Sequence, residues 1–301
     1  MVRRKWFWLL IALIALLVIT VKGYWNATRD PVIRTAGVIV ADWPVHTPPV
    51  KVMLIADTHV AGPDMPPERL RRILSQLNAQ KPDLILLAGD FVSRKRVATQ
   101  DYTPAQLAAP FAILKAPLGV LAVTGNHDHW DDIDAITLEL RKNGVTVIAN
   151  GAVKRGPMII GGVDDEFTDH DNLAATYAAM DALDSAAGTK APRIILSHGP
   201  DIVPGLPAPV DAVFTGHTHC GQIVLPFYGP VSFVSRYGMR FNCGLIDDAG
   251  QKVVVTAGLG TSILPLRYGA PPDVWLVTLT GSSKPAKFTK FTPRKPFFPP
   301  F

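Results

Sequence analysis

Five short segments of the chain carry side chains suited to metal binding or proton transfer. They are Asp57-Thr58-His59, Gly89-Asp90, Gly125-Asn126-His127-Asp128, Ser197-His198 and Gly216-His217-Thr218-His219. Imidazole suits zinc-, iron- and manganese-type ions, while carboxylate and amide oxygens suit harder ones. Alternate residues of an extended segment project together, so Asp-x-His and His-x-His each offer two donors on one side. A glycine before Asp90, Asn126 and His217 removes bulk where the backbone turns towards a crowded centre. One histidine after one strand is more often a core or surface group than a ligand. Five segments in order, all carrying Asp, Asn or His, are hard to explain as accident. The donors suffice for two ions, and a single ion would leave several without a role. Two ions about 3.5–4 Å apart clamp a phosphate and activate water near neutral pH.

Each cluster follows an apolar run of strand length. Strands are predicted at 51–56, 83–88, 119–123, 193–196 and 210–214, directly before the five clusters. Further strands are predicted at 146–148, 158–160, 252–256 and 274–279. Helical spacing marks the stretch opened by Pro66 and Pro67, with Leu70, Ile73, Leu74 and Leu77 in step, and the stretches 104–115, 131–143 and 172–186. The alternation predicts an α/β fold with helices covering sheets. In open α/β sheets, ligand sites assemble at the carboxyl ends of strands. Every candidate ligand here sits at such an end.

The 301 residues carry a net charge of +5, but the excess lies at the two ends. Residues 1–25 hold four basic groups and residues 282–301 hold five, with no acid in either stretch. The middle keeps 21 basic against 25 acidic residues, a net of −4. That argues against a nucleic-acid-binding core, which needs a basic face. Residues 6–21 form an uncharged apolar run behind Arg3, Arg4 and Lys5, with aromatic residues at both ends. The run reads as a single-pass membrane anchor, residues 1–25, with the basic end in the cytoplasm and the rest of the chain outside. A cleaved signal peptide is the nearest rival, but no small-x-small cleavage site follows the run directly. Arg3-Arg4-Lys5-Trp6-Phe7 loosely resembles a twin-arginine export signal. Residues 26–49 read as a turn-rich linker, 50–281 as the folded domain, and 282–301 as a basic Pro/Phe-rich tail, flexible or loosely packed, with contact to an anionic membrane surface as the alternative. Cys220 and Cys243 are too few for a disulfide framework. They could pair in an exported domain or remain free thiols.

The five clusters resemble the signature blocks of the calcineurin-like metallophosphoesterases, in order and over roughly residues 50–280. With the apolar N-terminus, the stretch Gly216–Gln222 and the segment 258–267 look like one subgroup. It includes bacterial membrane-associated phosphodiesterases and UDP-2,3-diacylglucosamine pyrophosphatases of lipid A synthesis. The resemblance implies a calcineurin-like fold of two packed mixed β-sheets flanked by helices. It also implies two divalent ions (Mn, Fe, Zn or Co, with Mn favoured). Asp57, His59 and His219 would bind the first ion, Asn126, His198 and His217 the second, and Asp90 would bridge both. A hydroxide shared by the ions would attack phosphorus in line. His127 would stabilise the phosphoryl oxygens or protonate the leaving group, and Asp128 would orient His127. Cys220 departs from the subgroup, where glycine is more familiar. A passive small residue is the preferred reading of it.

Other polar residues read more plainly. His46, His129 and His170 are expected at the surface or in loops. Asp164-Asp165-Glu166 is expected to be a solvated acidic loop. Arg94, Lys95 and Arg96 fit either a solvated turn or an anion contact, and Arg267 either faces the substrate or pairs with an acid. The resulting expectation is a metal-dependent phosphodiesterase outside the cytoplasmic membrane, acting on a phosphoester that could belong to a lipid. The alternatives are a UDP-2,3-diacylglucosamine pyrophosphatase, whose substrate is cytoplasmic, and a non-catalytic metal-binding protein. The presence of every expected ligand speaks against the last.

Overall fold

The apolar runs before the clusters become neighbouring strands of two sheets. The structure, a computed structural model, describes residues 2–93, 95–187 and 190–281. The strands are β1 (Val32–Val40), β2 (Val50–Ile55), β3 (Leu84–Ala88), β4 (Val120–Val123), β5 (Thr146–Val147), β6 (Gly151–Arg155), β7 (Met158–Gly162), β8 (Arg193–Leu196), β9 (Ala212–Thr215), β10 (Val224–Leu225), β11 (Gly229–Pro230), β12 (Gly244–Asp248), β13 (Gln251–Val255) and β14 (Asp273–Gly281). The helices are α1 (Val2–Thr28), α2 (Pro67–Asn78), α3 (Pro104–Ala108), α4 (Asn126–His129), α5 (Ile133–Lys142) and α6 (Leu173–Ala187). One sheet has the order β1-β14-β2-β3-β4-β5 and the other β12-β13-β9-β8-β7-β6. β2 to β5 run parallel, as do β7, β8, β9 and β13. β14 is antiparallel to β2, and the edge strands β6 and β12 are antiparallel to their neighbours.

Both faces of each sheet are covered, which is why the central strands are apolar almost throughout. Side chains alternate between the faces. Val52, Leu54, Leu86 and Leu121 of the first sheet meet Ile160, Ile194, Phe214 and Val254 of the second. Their neighbours Met53, Ile55, Ile85 and Leu87 turn the other way, onto Leu70, Ile73 and Leu74 of α2 and Ile136 and Leu140 of α5. Ile159, Ile195, Val213 and Val255 face Tyr177 and Met180 of α6. Each fully buried Leu or Ile contributes about 1.5–3 kcal/mol. The result is a four-layer α/β/β/α sandwich, as expected of this fold class.

The stretch 26–49 needs correction. α1 continues unbroken through Thr28, and Val32–Val40 is a strand paired in parallel with β14 along its length. The turn formers around it hide a β-branched run that sits half-buried at a sheet edge. Among the described residues, α1 is the one helix long and apolar enough to cross a membrane, by length and composition. Nearly all of it stands clear of the domain. Its last turns are tied down: the Arg267 N–H donates to the Gly23 carbonyl (3.0 Å), Asn26 Nδ2 to the Arg267 carbonyl (3.2 Å) and Arg69 Nη2 to the Ala27 carbonyl (3.3 Å). The tail 282–301 and Arg94 lie outside the described residues.

Candidate metal centre

The turns after β2, β3, β4, β8 and β9 bring all seven candidate ligands to one edge of the sandwich, where every one of them is buried. Asp57, His59 and His219 form one group and Asp90, His198 and His217 another, each with donor atoms within 4.8 Å of one another. Asn126 Oδ1 joins the second group 3.1 Å from His198 Nε2. Asp90 Oδ2 lies between the groups, 3.4 Å from both His59 Nε2 and His198 Nε2. The ring nitrogens confront one another: His59 Nε2 is 3.0 Å from His219 Nε2, and His217 Nδ1 is 3.0 Å from His198 Nε2. Ligand atoms about 2.0–2.1 Å from a shared ion have separations of this size. The carbonyl of Val92 accepts from His59 Nδ1 (3.2 Å) and that of Ala88 from His198 Nδ1 (2.7 Å). These bonds place a proton on each Nδ1 and turn both Nε2 atoms towards the centre.

The backbone is bent to reach this arrangement. Asp57, His59, Asp90, His217 and His219 all have positive φ, between 43° and 68°. Asp and His enter this region more readily than most residues, yet each costs on the order of 1 kcal/mol. Such strain concentrates at functional sites. The turn before Asp90 requires a glycine, because a Cβ on Gly89 (φ 79°) would lie 2.7 Å from the Gly125 nitrogen. A Cβ on Gly125 would in turn lie 2.4 Å from Asp90 Oδ1.

Burial and mutual repulsion set the charges. Burial pushes His59 and His219 well below the ordinary imidazole range and His217 down to about 3, so their lone pairs stay available. Burial also opposes a charge on His198, but the Asp90 carboxylate beside it prevails and holds its pKa well above the usual value. Burial likewise opposes ionisation of Asp90, but the His198 charge outweighs it and holds that pKa well below the usual carboxylate range. Burial raises Asp57 to about 7. This is a buried cluster of nitrogen and oxygen donors, and it fits divalent cations.

The profile of the family described as calcineurin-like phosphoesterase matches residues 50–221. The chain belongs to the calcineurin-like metallophosphoesterases. The Bacillus subtilis protein described as "Uncharacterized metallophosphoesterase YkuE" is 32% identical over 242 residues, covering 77% of this chain and 80% of its own. A metallophosphoesterase of Aquifex aeolicus is 33% identical over 234 residues, covering 77% and 85%. "Transmembrane protein with metallophosphoesterase domain" from Danio rerio is 27% identical over 287 residues, covering 89% of this chain and 62% of its own.

The remaining polar groups of the phosphoesterase differ in part from expectation. The His127 N–H donates to Asp90 Oδ1 (2.9 Å), and its Nε2 faces Ser262 Oγ at 3.5 Å. His127 also falls within donor range of His59 and Asp90, so proximity alone does not separate it from the ligands. Asp128, next to His127 in α4, is fully buried. Its two oxygens accept from the backbone N–H groups of Asp90, Phe91, Val92 and Gly125, at 2.8–3.2 Å. It therefore holds the turn that presents Asp90. The acidic loop is not solvated: Asp165 and Glu166 are buried, because Asp165 caps the turn through Thr168 and Glu166 packs onto Gly199. His129 is held by Asp164 (2.8 Å) and stacks on His170. Lys95 is buried in an ion pair with Asp64, which also accepts from Thr261 Oγ1 (2.7 Å). Arg267 neither faces the cleft nor pairs with an acid. It donates to the carbonyls of Ala257, Gly260 and Ala270 and reaches His219 Nδ1 at 3.2 Å, so it supports the back of a ligand. Cys220 and Cys243 form a disulfide, which corrects the preference for a passive Cys220. The only sequence signals for these roles were position beside a ligand block and, for Arg267, an arginine within an apolar segment.

Proposed function

We propose that the chain is a dinuclear metal-dependent phosphodiesterase, held by α1 at the outer side of the cytoplasmic membrane. The observation that carries this reading is the pair of ligand groups meeting at Asp90 Oδ2. Asp57, His59 and His219 would hold one ion, Asn126, His198 and His217 the other, and Asp90 both, with manganese favoured. When bound, the ions would supply an activated water and neutralise phosphoryl charge. A cleft of about 590 Å³ opens over Asp90, Asn126, His217 and His219. His127 and Arg96 line it, together with the apolar side chains of Trp130, Phe167, Ile223 and Leu264. His127 sits where it can stabilise the phosphoryl oxygens or protonate the leaving oxygen. Arg96 is placed to meet a second anionic group of the substrate. The apolar walls suit a phosphodiester with a nonpolar substituent.

The extracytoplasmic orientation is supported by the basic cluster Arg3-Arg4-Lys5 ahead of the apolar run. The disulfide adds to it, since such bonds persist in oxidising compartments. Purified full-length protein with Mn²⁺ should hydrolyse bis-p-nitrophenyl phosphate, lose this activity to a chelator and regain it with added Mn²⁺. Absence of turnover in protein shown to carry both ions would overturn the enzymatic reading. A reporter fused after residue 301 should be active only outside the cytoplasm. A cytoplasmic reporter would overturn the orientation and favour a nucleotide-linked lipid such as UDP-2,3-diacylglucosamine.

A further inference from the structure

Outside α1, seventeen large apolar side chains are exposed among the described residues, and ten of them fall within 225–239 and 263–264. The exposure is strong at Phe227 (80%), Tyr228 (71%) and Ile263 (64%). The segment 222–243 contains no Asp or Glu. Concentration in two short loops is not the scatter expected of single exposed hydrophobics, and it marks a contact surface.

These loops are joined to α1 through Tyr268, next to the Arg267 bonds to Gly23 and Asn26. Tyr268 Oη donates to the Ile19 carbonyl, and Gly23 lies against its ring, where a Cβ would come within 2.6 Å of the hydroxyl oxygen. The Tyr268 backbone pairs with the hairpin: its N–H donates to the Gln222 carbonyl (3.0 Å) and its carbonyl accepts from Val224 (2.8 Å). Gln222 Nε2 donates to the carbonyls of Leu264 and Leu266, and its Oε1 accepts from the Ser262 N–H. The β10–β11 hairpin, the 262–266 loop and the end of α1 are therefore one hydrogen-bonded unit. Ile19 lies within the apolar run, three residues before Lys22. At 1.5 Å per residue it sits about 5 Å inside the first charge. An interfacial segment is buried about 5–10 Å into the headgroup boundary. Whatever apolar medium covers the bare face of α1 also reaches Tyr268 and the loops bonded to it.

We infer that the hairpin tip Phe227-Tyr228 and the Ile263 loop rest in the surface of the lipid bilayer that α1 enters. This rests on the membrane insertion of α1 proposed above. Tyr228, Tyr268, Tyr24 and Trp25 then form a belt of the kind that aromatic residues make at membrane interfaces. The loop that carries Ile263 also places Ser262 against His127, so the mouth of the metal cleft lies at that surface.

The test uses the full chain in phospholipid vesicles, with an environment-sensitive nitrobenzoxadiazole label on one added cysteine. Four variants are compared: Phe227→Cys, Ile263→Cys, Ile14→Cys within α1, and Lys154→Cys on the opposite sheet edge. Labels at 227 and 263 should show blue-shifted emission and lose intensity with lipids spin-labelled near the headgroup, whereas the label at 154 should do neither. The label at 14 should be quenched by spin labels deep in the acyl chains. Quenching at 14 with none at 227 and 263 overturns the surface contact and leaves the anchor intact. No quenching at 14 overturns the anchor itself. A blue shift at 227 and 263 without lipid quenching would mean that residues 282–301 or a second copy cover this face, and would also overturn the inference.

Discussion

The Asp90 carboxylate lies 3.4 Å from a histidine of each group, so its removal should act on both. Asp90→Ala is expected to abolish turnover and to lower metal content. His127→Ala should leave metal content unchanged and cut turnover by roughly 10²–10⁴, the range of a lost general acid. Loss of metal in that variant, measured by elemental analysis, would make His127 a ligand. Protons compete with metal at this site. Without metal, burial holds the Asp57 pKa near 7, and Asp90 keeps His198 protonated above the usual range. Each must release its proton to bind, so affinity falls as pH drops through the raised pKa of His198 and then that of Asp57, about 7. Calorimetric titration should show tighter Mn²⁺ binding at pH 8 than at pH 6, with proton release. Equal affinity at both would mean that protons do not compete with metal at this site. At this scale the sequence was most legible: the ligands each follow an apolar run, and their types declare their chemistry. The backbone bonds of Asp128 were not legible, because they depend on four N–H groups of folded turns.

The turns impose the geometry that these residues need. Gly89→Ala places a Cβ at φ 79° and 2.7 Å from a backbone nitrogen. The left-handed backbone alone costs about 1–2 kcal/mol. Denaturant unfolding should show at least that loss, together with reduced metal content. The Cys220–Cys243 bridge closes the strap bearing the hairpin, directly after His219. Cys243→Ser should destabilise the domain by about 2–4 kcal/mol, read as a lower unfolding temperature that reducing agent no longer changes. The central strands and α2 were legible because their apolar periods are unmistakable. β1 was not, since an edge strand flanked by turn residues looks like a linker. The burial of Asp165, Glu166 and Lys95 was hidden because charge in a sequence says nothing of the partners that the fold supplies.

The whole molecule joins an α/β/β/α sandwich to a helix that the sandwich covers only at its end. The α/β class followed from the alternation of elements, but which strands pair across the two sheets depends on long-range register that no local period records. One edge of this sandwich is proposed to hold two ions sharing Asp90. Metal content per chain, measured with turnover on wild-type and Asp90→Ala protein, tests it most directly. Two ions and metal-dependent hydrolysis are expected in the wild type, and at most one ion with no hydrolysis in the variant. Two ions retained in Asp90→Ala would contradict it.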